Sequence, residues 1–236
     1  MQGYPIIEAG ALEFDVHIPF QMARRVLRAI CTIAPQDGEI ESLQKLTDVI
    51  ERDGVAEMLP PLSFLLGLKS GTRDRDAAAP ISAQLVISAL IGLVVNVAAR
   101  RPLVLLLEDL HWCDQESRTF LDDLVRALPA HRCLMLMTYR PEFEPGWHAH
   151  RHFQEIRLAP LGPDDALQFL TNMFGDDDST RQLTDGILKS AEGVPLFLEE
   201  MTREVEHSGA LTGELGNYQL TDALSLIHIS EPTRHI

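Results

Sequence analysis

Apolar residues follow two patterns along this chain. Leu103-Val104-Leu105-Leu106-Leu107 and Cys133-Leu134-Met135-Leu136-Met137 are short, uninterrupted apolar runs. Such runs predict strands buried on both faces, as in a parallel sheet covered by helices. Ile6 to Phe14 gives a weaker strand signal, and Glu155 to Leu158 a short one. Elsewhere the period is helical. Phe20, Met22, Val26, Leu27 and Ile30 follow Pro19 and predict a helix with Arg24, Arg25 and Arg28 on its wet side. Leu43, Leu46, Val49 and Ile50 predict a helix over Glu39 to Asp53. Pro60-Pro61 breaks the pattern, the apolar segment Leu62 to Leu68 follows, and Gly71 to Ala79 reads as a polar surface loop.

Phe120, Leu121, Leu124, Val125 and Leu128 mark one face of a further helix, capped by Asp114 and ended by Pro129. Ala159-Pro160-Leu161-Gly162-Pro163 reads as a connector. Three helical patterns follow. The first is capped by Asp164 with Ala166, Leu167, Phe169, Leu170 and Met173 inward; the second covers Arg181 to Ala191; the third follows Gly193-Val194-Pro195. Strands separated by helices predict an α/β fold. The helix Ser117–Leu128 as a crossover predicts that the Leu103 and Cys133 strands lie adjacent and parallel.

Ile81 to Ala99 carries no charge and is long enough to be mistaken for a membrane span. Ser82, Gln84, Ser88 and Asn96 interrupt it, and a strand follows after three residues. A buried helix packed on the sheet, without membrane contact, is the expectation. A length of 236 residues and a hydrophobic content of 45% allow one sizeable α/β domain with a small appendage. The net charge of −15 argues against direct nucleic-acid contact, which needs clustered Lys and Arg. Cys31, Cys113 and Cys133 show no paired spacing, which fits reduced thiols in the cytoplasm.

The chemistry concentrates where the Leu103–Leu107 run meets Glu108 and Asp109. Ligands of parallel sheets bind beyond the carboxyl ends of the strands. Two acids there suit a Mg²⁺ shell and the orientation or deprotonation of an attacking water. Trp147-His148-Ala149-His150-Arg151-His152 alternates three histidines, but no acid or cysteine completes a close-spaced metal site.

Glu108-Asp109-Leu110-His111-Trp112-Cys113-Asp114 resembles the Walker B region of STAND/AAA-type P-loop ATPases. These occur in large bacterial regulators beside adenylate cyclase or LuxR-type DNA-binding domains. Gly193-Val194-Pro195 is similar to the GxP motif of the helical lid in that family. The resemblance implies Glu108 as the Mg²⁺ ligand and Asp109 as the catalytic acid. It implies Thr138 or Arg140 as a sensor of the γ-phosphate, and Gly193 and Pro195 beside the nucleotide. His111 and Trp112 belong to the signature without an assigned role. The implied function is that of a signalling ATPase: it binds ATP and hydrolyses it to ADP, and hydrolysis switches the lid and releases or silences an attached output domain. The alternative is a non-hydrolysing binding or scaffolding module.

The family's Gly-x-x-x-x-Gly-Lys-[Ser/Thr] loop is not in these residues. Gly67-Leu68-Lys69-Ser70 lacks both the Gly before the Lys and the earlier Gly. The resemblance therefore implies a P-loop NTPase core over residues 1–159 that lacks its first strand and Walker A loop, so that the chain alone is inactive. A helical lid over 160–212 and a tail over 213–236 follow. The missing strand would lie at the centre of the sheet, where the Glu155 strand either fills its place or stands apart. Residues 224–234 resemble a translated sequencing adapter and carry no expectation of native structure.

Overall fold

The computed structural model describes residues 4–68 and 81–220. The expected loop Gly71–Ala79 and the adapter-like tail lie outside the described residues. The chain divides into two compact units, Met1–Gln154 and Glu155–Ile236.

The first unit is α/β. Its elements are β1 (Ile6–Gly10), α1 (Gln21–Ile30), α2 (Glu39–Asp53), α3 (Leu59–Leu66), α4 (Ala83–Arg100), β2 (Leu103–Glu108), α5 (Gln115–Ala127) and β3 (Cys133–Met137). The strands form one sheet in the order β1-β2-β3, and both pairings are parallel. Leu103 lies level with Cys133 and Leu107 with Met137, so the two apolar runs are neighbours, as the crossover argument requires.

Their burial differs from the expectation. Leu103, Leu105 and Leu107 are fully buried, whereas Val104 and Leu106 are half-buried and Leu134 and Leu136 are exposed. The described helices gather on one face, where Met22, Leu27, Leu46, Leu62, Leu90, Leu93, Phe120 and Leu124 join the alternate strand residues in one core. The other face carries Ile6, Val104, Leu106, Leu134 and Leu136.

Three local readings are also corrected. Pro60 and Pro61 sit inside the first turn of α3, where a missing N–H costs nothing. Arg24, Arg25 and Arg28 are not simply solvated. Arg24 Nε donates to the Leu65 carbonyl at 2.9 Å, Arg25 to the Gly10 carbonyl at 2.7 Å, and Arg28 to the Ala34 carbonyl at 2.5 Å. Residues Glu155–Leu158 are not a strand: Ile156 is 82% and Leu158 92% exposed, and the segment belongs to neither sheet of the described residues. Two alternating apolar residues bury too little to hold an extended segment against a sheet.

Helix α4 is long and apolar enough to cross a membrane, yet Val86, Ile87, Ala89, Leu90, Leu93, Val94 and Ala98 lie in the core. Ser82 caps it by accepting the Leu85 N–H at 3.2 Å.

The second unit contains α6 (Pro163–Phe174), α7 (Arg181–Ala191), α8 (Pro195–His207) and an antiparallel hairpin, β4 (Leu211–Glu214) with β5 (Asn217–Leu220). Leu170, Phe174, Leu183, Ile187, Leu198 and Met201 form its core, and Tyr218 of the hairpin packs against it. Gly162, not Asp164, is the N-cap of α6; Asp164 and Asp165 stand in its first turn, where the helix dipole favours them. Leu167, expected to face inward, is exposed.

Candidate functional site

The site is built at the carboxyl ends of β2 and β3. Glu108 ends β2 and is half-buried, on the same side of the sheet as Val104 and Leu106. Gly10 of β1 lies level with Glu108 on one flank. On the other, Thr138 follows Met137 as Glu108 follows Leu107, so Gly10, Glu108 and Thr138 form the last row of the sheet. All three stand on the face that the helices leave uncovered.

Asp109 turns out of that row. Its φ of 56° and ψ of 42° are left-handed, a conformation Asp tolerates better than most residues. Thr138 holds this turn at three points. Its hydroxyl oxygen accepts the Asp109 N–H at 3.1 Å, its carbonyl accepts the Leu110 N–H at 3.0 Å, and its N–H donates to the Leu107 carbonyl at 3.0 Å. The left-handed residue throws the Asp109 carboxylate into solvent, where it is 62% exposed. Because the Thr138 hydroxyl accepts from Asp109, its own proton remains directed elsewhere.

A short helical turn, Leu110–Trp112, follows. Leu110 is fully buried and anchors the turn. The rings of His111 and Trp112 meet at 4.8 Å and 45°. Arg140, exposed beyond β3, places its guanidinium 5.9 Å from the Trp112 ring centre. Glu108, Asp109, Thr138 and Arg140 are thus gathered at one end of one sheet.

The foundation of this turn was only partly visible in the sequence. Asp114 caps α5 as expected, accepting the Ser117 N–H at 2.9 Å. It also accepts the N–H groups of Phe20 at 2.7 Å and Gln21 at 2.9 Å, at the start of α1. Ser117 adds a further tie, its hydroxyl accepting the Ala23 N–H at 3.1 Å. On the β1 side, Arg25 pairs with the buried Asp15 and donates to the Gly10 carbonyl, fixing the chain as it leaves the sheet. Periodicity places Arg25 on a wet face, so no sequence signal pointed to this pair.

Cys113, beside the turn, is unsuited to nucleophilic chemistry: burial first, and then the Asp114 charge, push its thiol up to about 12. Burial alone raises Cys133 to about 11.

The three histidines of the 147–152 stretch lie in a surface turn, His148 and His152 exposed and His150 half-buried. His148 meets Phe153 edge-on at 5.3 Å, and His150 and His152 lie 5.6 Å apart. Trp147 is buried and donates its indole N–H to Asp122 at 2.7 Å. No group of three or more His, Cys, Asp or Glu able to hold a metal exists among the described residues.

Gly193 and Pro195 lie in the second unit. Gly193 has a φ of +75°, and a Cβ there would stand 2.3 Å from the Leu161 carbonyl oxygen. The Leu161 N–H donates to the Gly193 carbonyl at 2.8 Å, so two backbones touch at this glycine. Pro195 occupies the first turn of α8, where its ring suits the helix.

No family model matches the chain, and no solved structure does. A protein of Rhizobium meliloti (strain 1021), itself uncharacterized, is 24% identical over 186 residues. That match takes in 77% of the chain and 18% of the Rhizobium protein, so the chain spans less than a fifth of the length of this curated relative.

Proposed function

We propose that this chain is part of a signalling ATPase of the STAND/AAA type, in which ATP binds at the carboxyl end of the β1-β2-β3 sheet. One observation carries the reading. Glu108 and Asp109 stand at the end of the middle parallel strand, and Thr138, just past the neighbouring strand, fixes the left-handed turn at Asp109. Sheets of this kind take ligands at that end, and phosphoryl transfer asks the protein mainly for positioning and charge.

The donor set suits Mg²⁺ shared with a substrate. Glu108 is a half-buried carboxylate in the last row of the sheet, with the hard oxygens of Asp109 and Thr138 beside it. Mg²⁺ is commonly held by one or two carboxylates together with phosphate oxygens, so a protein cage of three or more ligands is not required. When bound, the ion neutralises charge on the phosphates. Glu108 would hold its shell. Asp109 would orient a water and take its proton as the water oxygen bonds to the γ-phosphorus. The bond from that phosphorus to the β–γ bridging oxygen breaks, and ADP leaves with the electron pair. Thr138 has a hydroxyl proton, and Arg140 a guanidinium, to offer a phosphoryl oxygen.

In this reading the second unit is the lid, and Gly193 and Pro195 set the entry of α8. Nucleotide-dependent movement of such a lid would switch an attached output domain. The test is turnover by a polypeptide that contains this chain together with a Gly-Lys-[Ser/Thr] loop. Asp109→Asn should keep ATP binding and lose hydrolysis. Unchanged hydrolysis would overturn the reading.

A further inference from the structure

Among the described residues, His111 is the one histidine whose buried ring nitrogens lack a partner. Its side chain is 11% exposed, and neither Nδ1 nor Nε2 has a hydrogen-bond partner. A neutral imidazole carries one donor and one acceptor, and leaving such a group buried and unpaired is unfavourable. Packing alone would favour an apolar residue here. Trp112, whose ring lies tilted against the imidazole at 4.8 Å between centres, restricts how it can turn.

The polar group within reach is Asp109. Its Oδ1 lies 4.0 Å from His111 Nδ1, about 1 Å beyond a hydrogen bond. The two residues differ in freedom. His111 is enclosed, whereas the Asp109 carboxylate is exposed on a backbone already fixed by Thr138. Rotation of the Asp109 side chain, with no backbone movement, is the shortest way to close the gap.

We propose that His111 is the positioning residue for Asp109: the neutral ring carries its proton on Nδ1 and donates it to Asp109 Oδ1, leaving Oδ2 to face a water. The bond pairs one buried nitrogen and fixes which carboxylate oxygen meets the water. A partner at one ring nitrogen also selects the tautomer. The assignment of a catalytic purpose rests on the ATPase reading of Asp109; the histidine–carboxylate link does not.

The 236-residue chain, labelled with ¹⁵N at histidine, tests the link directly. Imidazole nitrogen shifts distinguish an Nδ1–H ring from an Nε2–H ring. The wild-type chain should show His111 with its proton on Nδ1. Asp109→Gly removes the carboxylate while suiting the left-handed backbone, and should move His111 toward the Nε2–H form without altering His131. Asp109→Asn, which keeps an acceptor oxygen, should retain the Nδ1–H form. A His111 ring that is Nε2–H in the wild type, or indifferent to Asp109→Gly, overturns the proposal. Where turnover can be followed, His111→Ala should lower kcat about 10-fold or more, the scale of a lost orienting partner, with KM for ATP unchanged. His111→Asn, whose amide nitrogen replaces Nδ1, should recover most of that loss. Coupled ring nitrogens with turnover indifferent to Asp109→Asn would keep the link and remove the ATPase reading.

Discussion

Asp114 accepts the backbone N–H of Phe20 at 2.7 Å across 94 positions of sequence. The same carboxylate accepts from Gln21 and Ser117, so one buried acid serves the first turns of both α1 and α5. The unsatisfied N–H groups of two helices converge on it, and the turn bearing Asp109 is tied to the helix that follows β1.

Asp114→Ala should therefore cost more than one cap. A lost cap costs about 0.5–2 kcal/mol, and a buried N–H left unpaired about 1–3 kcal/mol. We expect a loss of about 2–4 kcal/mol in denaturant unfolding of the first unit. Asp123→Ala, which removes only the partner of the exposed Arg126, should change stability by less than about 0.5 kcal/mol. Equal effects of the two substitutions would show that the Asp114 network carries no special weight.

How far the sequence could be read follows from residues such as these. The positions of β2 and β3 were legible because five apolar residues in a row leave little else to be, and their parallel pairing followed from the helix between them. That only one face is covered was not legible. Apolar residues fill both parities of β2 and β3, so the contrast between buried Leu105 and exposed Leu134 has no signature in polarity. Glu108, Asp109 and Thr138 could be named from strand ends. The left-handed φ of Asp109 and the orphaned ring of His111 depend on contacts across 29 positions and on packing. In the second unit, Leu211–Leu220 forms a hairpin around Leu215-Gly216, and Leu-Gly is not one of the residue pairs that announce a two-residue hairpin turn.

Gly193 makes a structural prediction that stands apart from nucleotide binding. Alanine there combines a φ of +75° with a Cβ 2.3 Å from a backbone oxygen. Neither can relax cheaply, since the Leu161 and Gly193 backbones are bonded to each other. Gly193→Ala should destabilise the second unit by about 2 kcal/mol or more. Gly186→Ala, inside α7 with open space around it, should instead stabilise by about 0.5–1 kcal/mol. Thermal unfolding of the two variants checks both signs.

The buried thiols set an alkaline limit. Burial pushes Cys31 up to about 12, with Arg52 opposing and Asp53 adding to the rise, and Cys113 also to about 12. In the unfolded chain these thiols ionise near 9.0. Their protonated forms are thus favoured by the fold. That stability is fully present below pH 9 and is lost as pH rises from about 9 to 12. Unfolding free energy should fall across this range and fall less in Cys31→Ala. Below pH 9, iodoacetamide should label Cys31 and Cys113 far more slowly in the native chain than in urea. Rapid native labelling would contradict the burial of Cys31 and the partial burial of Cys113.

The final prediction concerns ATP. Tight phosphate binding in the P-loop class depends on a cradle of backbone N–H groups and a lysine, and these 236 residues contain no Gly-x-x-x-x-Gly-Lys-[Ser/Thr] stretch. Glu108 and Asp109 offer carboxylates, not anion donors, and a net charge of −15 repels a triphosphate. The isolated chain should therefore show no micromolar ATP binding in calorimetry and no hydrolysis. Joined to a polypeptide that supplies the loop, it should do both. In that protein Asp109→Asn should bind ATP unchanged while turnover falls about 10²-fold or more, the scale of a positioned general base. Glu108→Gln should act differently, weakening the Mg²⁺ dependence of binding as well as turnover, because its carboxylate stands in the last row of the sheet rather than on the exposed turn. If Asp109→Asn turns over normally while Glu108→Gln does not, the water-orienting role passes to Glu108. The left-handed turn would then serve only to lead the chain from β2 into α5.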